Sequence, residues 1–397
     1  MFKPNETADV LIVGGGVIGL TIARALRKRG VRNVTLIERG QLGAEASWAA
    51  GGILAPQIEA DRPDEFFRLA CASRDLYPEF ADALNEESGI NVELDVTGTL
   101  FLGFAEEGES ELRHRYDWQT KAGLAVEWLS AGDARALEPR ISSAVRCALR
   151  FPNDVQIENR KLVSALALAN ERLGVRLVSG CEVNELCVVE GRVCGVETSV
   201  GPLSAPVIVL AAGAWTSLIK SRLATIQIEP VRGQMLCFKA DPPIAQHVIY
   251  SALGYLVPRR DGRVLAGSTA ERVGFDKSVT EDGLNSIKSM AIEIVPAVAG
   301  LPLDSSWAGL RPRAADDLPV LGPCEGVAGL FYATGHYRNG ILLAPITGEL
   351  IAEAIISGES PGLLAPFSPN RIACQKPDRE GGHVALADAR ASDSTDF

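Results

Sequence analysis

The chain has 397 residues, 47% of them apolar, with a formal net charge of −11. That length accommodates two or three domains with well-packed cores. The acidic balance, offset by no basic block, argues against nucleic acid and anionic membrane as partners and leaves small metabolites as the natural ligands. Residues 1–7 lack the cationic-then-apolar form of a signal peptide, so a soluble cytoplasmic protein is expected. Eight cysteines (Cys71, Cys147, Cys181, Cys187, Cys194, Cys237, Cys324 and Cys374) include no C-x-x-C pair, and the four histidines show no ligand spacing. The cysteines read as small buried hydrophobes, and no metal is expected.

The first expected element is a buried strand, Val10-Leu11-Ile12-Val13, which runs into Gly14-Gly15-Gly16-Val17-Ile18-Gly19 and directly on into a helix. Gly14 permits the sharp exit from the strand, Gly16 lets backbone N–H groups approach a pyrophosphate, and Gly19 lets the helix pack close to the sheet. The positive end of the helix then faces the phosphates. The helix is expected to run to Gly30. A second strand, 34–37, ends at Glu38, about twenty residues past the last glycine, where an acid accepts hydrogen bonds from ribose hydroxyls. The glycine pattern alone also suits a turn in any buried βαβ unit. Its ordered surroundings favour a nucleotide.

A run of mostly small residues follows over 44–56, including Ala46-Ser47-Trp48-Ala49-Ala50-Gly51-Gly52-Ile53. It lets backbone come close to a flat ligand, an isoalloxazine ring or a pyrophosphate, or else packs as a loop on its own domain. A helix is expected over 66–84, interrupted at Tyr77-Pro78, then a strand over 96–104 and a charged helix from 106 to about 123. Further on come a helix over 160–173 stopping at Gly174, a strand over 175–178, a hairpin turning at Gly191 and a buried strand over 207–215. Strands at 233–238, 255–258 and 264–269 and a helix over 282–294 complete this half, with Tyr255 opening a strand where ordinary packing would also explain it.

Near the C-terminus the first device repeats. A strand at 329–334 leads through Gly335-His336-Tyr337-Arg338-Asn339-Gly340 into a helix over 341–357, with Pro345 expected to be tolerated in its first turn. A second helix N-terminus is thereby aimed at a ligand, and backbone N–H groups at 340–342 suit negative charge developing on a flavin ring. Upstream lies Trp307-Ala308-Gly309-Leu310-Arg311-Pro312. Arg311 and Arg338 sit among glycines and apolar residues, and by pattern alone they read equally as surface charges or as bidentate captors of a substrate carboxylate.

Together these stretches, from about residue 8 to 372, resemble the D-amino-acid oxidase family of flavoproteins, nearest its bacterial glycine-oxidising members. The resemblance implies an α/β fold: a Rossmann-like FAD-binding domain of the glutathione-reductase type and a second, α+β substrate domain built on an antiparallel sheet. The FAD-binding segments would be 1–85, 150–222 and 309–366, and the substrate domain 86–149 and 223–308. FAD would contact Gly14, Gly15, Gly16, Val17, Ile18 and Gly19, with Glu38, Arg39 and Val183 at the adenosine. Ala46, Ser47, Ala50, Gly51, Gly52 and Ile53 would follow the pyrophosphate and flavin, with Ala212, Gly213 and Trp215 nearby. His336, Tyr337, Arg338, Asn339, Gly340, Ile341 and Leu342 would lie at the ring, and Tyr255, Arg311 and Arg338 would bind substrate.

The FAD is expected to be non-covalent, since relatives that attach it use a cysteine and none lies in 311–321. The implied chemistry is oxidation of glycine, other small amines or D-amino acids to an imine and then a 2-oxo acid. Ammonia and H2O2 are released, O2 is the acceptor, and no side chain acts as acid or base. The implied setting is thiamine thiazole synthesis by a homo-oligomer, tetrameric in relatives. A dehydrogenase feeding a quinone is the alternative, and a flavin-binding protein without turnover a further one. Ala270 stands where the glycine-oxidising members carry a methionine, which implies a cavity of different size. The polar tail, 373–397, lies outside the resemblance and is expected to be disordered.

Overall fold

The computed structural model describes residues 7–221 and 226–373; the tail beyond 373 and position 222 at the expected domain boundary lie outside them. Val10–Val13 is buried along its whole length, as a run of four β-branched or aliphatic residues demands when both sheet faces are covered. It forms parallel pairs with Val34–Glu38 on one side and Ile208–Leu210 on the other, with Val13 opposite both Ile37 and Leu210. The six-stranded sheet has the order Val320–Pro323, Leu330–Thr334, Ile208–Leu210, Val10–Val13, Val34–Glu38, Arg176–Ser179, and only Val320–Pro323 runs antiparallel to its neighbour. Parallel strands deliver their C-terminal ends to one edge, where crevices for ligands form. The loops after residues 13, 210 and 334 leave from that edge.

Two long helices cover one face together. Val17–Lys28 and Gly340–Ser357 meet at Gly348, where a Cβ would lie 2.6 Å from Thr21 Cγ2. Gly19 touches the sheet as closely, since a Cβ there would stand 2.0 Å from the Gly14 carbonyl oxygen. The helix Gly340–Ser357 is long and apolar enough to cross a membrane, yet it is mostly buried inside the protein. It begins one residue earlier than expected, and Pro345 falls in its second turn rather than its first. Lacking an N–H, Pro345 leaves the Ile341 carbonyl without its helical partner. The buried Tyr77 hydroxyl donates to that oxygen instead. Next to it, Ser73 Oγ donates to Leu342 O at 2.6 Å and accepts from Ile346 N at 3.4 Å. These donors come from the helices Glu65–Asp75 and Tyr77–Ser88, which break at Leu76.

An eight-stranded sheet forms the second layer, in the order Leu303–Ala314, Ile228–Lys239, Arg263–Gly267, Gly254–Pro258, Val248–Ser251, Thr99–Gly103, Cys147–Phe151, Glu127–Ser130. Its pairings are antiparallel except between Val248–Ser251 and Thr99–Gly103. Cys147–Phe151 and Leu303–Ala314 each run across an expected domain boundary, because a strand continues as long as its partner offers hydrogen bonds. The expected strand over 207–215 is shorter, Ile208–Leu210, and a turn with Gly213 at φ +54° leads into a 3-10 helix, Gly213–Leu218. Among the cysteines, Cys147, Cys181 and Cys237 are buried as expected, but Cys194 is exposed on the three-stranded sheet formed by 183–204.

Replacing Tyr77 with Phe would leave the Ile341 carbonyl buried without a donor, a loss of about 1–3 kcal/mol. Urea unfolding is expected to show a lower midpoint with unchanged slope.

Candidate functional site

A cavity of about 370 Å³ opens at the shared edge of the two layers. Its wall is built from loops far apart in sequence. The glycine turn supplies Gly14, Gly16, Val17 and Ile18, and the second strand supplies Glu38 and Arg39. The small-residue run supplies Ala46, Ser47, Ala50, Gly51, Gly52 and Ile53. Val183, Ala212, Gly213 and Trp215 line it as well, as do Tyr255, Arg311 and the stretch His336, Tyr337, Arg338, Asn339, Gly340 and Ile341. Three expected contacts do not line it. Gly15 turns its N–H to Glu38 Oε2 at 2.8 Å, Gly19 packs under the turn, and the Leu342 carbonyl faces Ser73.

The part of the cavity around Glu38 has the donor set of a dinucleotide site. Gly14 adopts φ +113° with its missing Cβ pointing 2.4 Å from Ala211 O, so any side chain would collide with the neighbouring strand. Glu38 is fixed by N–H groups of Gly15 and Gly40, both at 2.8 Å, leaving its remaining lone pairs for hydroxyl donors. The Arg39 guanidinium lies 3.8 Å over the Trp215 ring and pairs with Glu45 at 2.8 Å. Ser47 Oγ accepts from Val17 N at 3.0 Å, so its own proton is free for an acceptor at the helix start. The helix Gly340–Ser357 begins with neither a side-chain cap nor an acidic residue in its first turn, and its Gly340 and Ile341 reach the cavity. Two positive helix ends and an acid thus fit the pyrophosphate, the electron-rich edge of a flavin ring and the ribose of FAD.

The small-residue loop is held by side chains to which the sequence pattern gave no such role. Buried Arg259 donates to Gly51 O at 2.9 Å and Ile157 O at 2.8 Å. Asn159 Nδ2 donates to Ser47 O and Trp48 O at 2.8 and 3.0 Å, and Trp307 Nε1 donates to Ala49 O at 3.0 Å. Burial lowers the Arg259 guanidinium to about 10, which still leaves it a cation at neutral pH. His336 is buried, its Nε2 3.2 Å from Thr347 Oγ1, and desolvation pushes its imidazole down to about 3. It stays neutral and brings no charge to the ring site.

At the other end of the cavity Arg311 lies across Gly233, where a Cβ would stand 2.1 Å from Nη2. Its Nη1 donates to Thr269 O at 3.0 Å and its Nη2 to Ser268 Oγ at 2.6 Å, and no carboxylate of the described residues pairs with it. Arg338 differs, with Nη2 bound to Glu59 Oε1 at 3.0 Å. Tyr255 Oη donates to Met235 Sδ at 3.5 Å. Ala270, expected to alter the cavity, is exposed and off its wall, and Met235 from the neighbouring strand supplies a thioether there. Glu59, Tyr250, Met235 and Ser268 escape the sequence reading because each is an ordinary residue of a short helix, a strand or a loop until the sheet closes over them.

The family model for FAD dependent oxidoreductases of the DAO type matches residues 9–354. The chain is 37% identical over 367 residues to glycine oxidase of Geobacillus kaustophilus, covering 91% of this chain and 97% of that one. It is 34% identical over 363 residues to glycine oxidase of Pseudomonas putida, covering 91% and 98%. It is also 36% identical over 373 residues to the bifunctional protein ThiO/ThiG of Trichormus variabilis, covering 93% of this chain and 56% of that longer protein. The crystal structure of glycine oxidase from Geobacillus kaustophilus superposes with a TM-score of 0.88 at 36% identity, covering 92% of this chain and 98% of that one. With the glycine turn, the acid at the second strand and both helix ends converging on one cavity, the chain belongs to the DAO family of FAD-dependent oxidoreductases.

Proposed function

We propose that this enzyme oxidises glycine and other small amines or D-amino acids at the expense of O2. The observation that carries the reading is Arg311, a guanidinium on the cavity wall with no acidic partner among the described residues, held to a carbonyl and a hydroxyl. Its remaining N–H groups suit a carboxylate, each charge-assisted bond contributing about 1.5–3 kcal/mol. The two glycine oxidases above support the small substrate. FAD, held by the cavity residues named above, would supply the redox chemistry that moves two electrons and the α-hydrogen from the substrate to O2, giving H2O2. The protein's part is placement. Arg311 anchors the carboxylate, and the strand and loop residues around Tyr255 and Gly51, whose missing Cβ would meet the Tyr255 ring at 3.5 Å, limit the space beside the α-carbon. Neutral His336 offers no proton, and the imine released is hydrolysed by water to the 2-oxo acid and ammonia.

In this reading segments 1–85, 150–222 and 309–366 form the FAD-binding domain, and 86–149 and 223–308 the substrate domain. The cofactor residues are those that line the cavity from Gly14 to Ile53, from Val183 to Trp215 and from His336 to Ile341. A cytoplasmic homo-oligomer feeding the thiazole of thiamine completes the proposal, on the resemblance alone.

Three measurements test it. Peroxide release in air is expected with glycine, sarcosine or a small D-amino acid; turnover only with a quinone or artificial acceptor would replace the oxidase by a dehydrogenase. Changing Arg311 to Met is expected to raise KM for glycine about tenfold or more while FAD stays bound. Changing Glu38 to Ala removes the ribose acceptor, and FAD is expected to dissociate on dilution at roughly tenfold or more higher protein concentration than from the unaltered enzyme.

A further inference from the structure

Arg311 and Arg338, both expected to bind substrate, have different surroundings. Arg311 meets only a carbonyl and a hydroxyl, whereas Arg338 is bound to Glu59 Oε1 at 3.0 Å. The Tyr250 hydroxyl lies 3.5 Å from the same oxygen. Glu59 lines the cavity, and its other carboxylate oxygen has no hydrogen-bond partner among the described residues. The Tyr250 and Tyr255 rings, 5.3 Å apart, connect this pair to the wall that carries Ser268 and Arg311. The wall therefore holds one uncompensated cation and one neutralised ion pair with a vacant acceptor. That charge pattern suits a ligand with one carboxylate and one N–H-bearing amine better than two carboxylates.

The turn presenting Glu59 is fixed from behind. Buried Arg115 donates to Ile58 O at 2.7 Å and to Ala60 O at 2.6 Å, on either side of Glu59. Ile58 N donates to Asp154 at 2.9 Å, and Gln119 Nε2 donates to Gln57 O at 2.7 Å. Three buried polar side chains grip the short helix Pro56–Glu59, whose one charged side chain faces the cavity. Such support around a single carboxylate is what holding a ligand group in one position requires.

We infer that Glu59 receives the substrate amine: Oε2 accepts its N–H, Arg338 holds Oε1, and Arg311 alone anchors the carboxylate. The inference rests on the amino-acid oxidase reading above and adds to it which end of the substrate each charge takes. Glu59 then selects amino acids over hydroxy acids of the same size, since a hydroxyl offers a carboxylate one weaker, uncharged donor.

The test compares glycine with glycolate, which keeps the carboxylate and replaces the amine with a hydroxyl. Each is mixed anaerobically with FAD-loaded enzyme, glycolate being followed by the shift of the flavin absorbance on binding and glycine by how the rate of flavin bleaching saturates with its concentration. Glu59→Gln is expected to weaken glycine about tenfold or more and glycolate less than about twofold. Arg338→Met should follow Glu59→Gln in sparing glycolate, while Arg311→Met weakens both ligands. Equal weakening of glycine and glycolate by Glu59→Gln, unchanged glycine binding, or a loss of glycolate in Arg338→Met matching that in Arg311→Met would each overturn the assignment. Arg338→Met answers the question even where Glu59→Gln fails to retain FAD. Peroxide is not measured here, so an enzyme inert in air would refute the oxidase reading without deciding how the two ligands are held.

Discussion

Close contact between the two long helices is the constraint on which the site depends. Gly348 against Thr21 lets Gly340–Ser357 lie directly beside Val17–Lys28, and Gly19 lets the latter settle on the Gly14 turn. A methyl group at either glycine would push a helix outward. Because both helices follow strands of one parallel sheet, with only Ile208–Leu210 between those strands, their N-termini point to the same edge. Two partial positive charges meet there in one cavity, a placement that suits a ligand with phosphates at one end and an electron-accepting ring at the other.

Buried hydrogen bonding shapes what the helices leave open. A loop of alanines and glycines has no side chains with which to hold itself, so its carbonyls are bound by Arg259, Asn159 and Trp307 from elements of both layers. Gly52, at φ +67° with its missing Cβ 2.0 Å from Ile157 O, shows how tightly backbone is pressed against backbone. The proline inside the last helix follows the same logic. Its lost N–H is replaced by the Tyr77 hydroxyl, so the helix continues through Pro345 with the Ile341 carbonyl satisfied.

Charge is distributed unevenly along the cavity, and its chemistry follows. Glu38 is held beside the Gly14 turn at one part of the wall, and desolvation keeps His336 uncharged near the helix start at Gly340. Arg311 is left as a cation over Gly233, while Arg338 is matched by Glu59. An acidic protein with a net charge of −11 thus keeps a local cation on the wall of its cavity.

Local rules made much of this legible. The β-branched run before Gly14, the glycine spacing, Glu38 at the end of the second strand and the repeat of strand, glycine loop and helix at 329–357 each depend on neighbours within a few residues, and the structure has each in place. Sequence alone determined the two helix starts after glycine loops and the DAO-family resemblance. Tertiary structure decided the partners. Glu59, Tyr250 and Met235 stand in a four-residue helix and two strands without distinctive spacing, and Arg338 reads the same whether it is free or paired. Hydrogen bonds and charge pairs form between residues distant along the chain, such as Glu59 and Arg338, 279 positions apart, so their geometry exists only once the layers have closed.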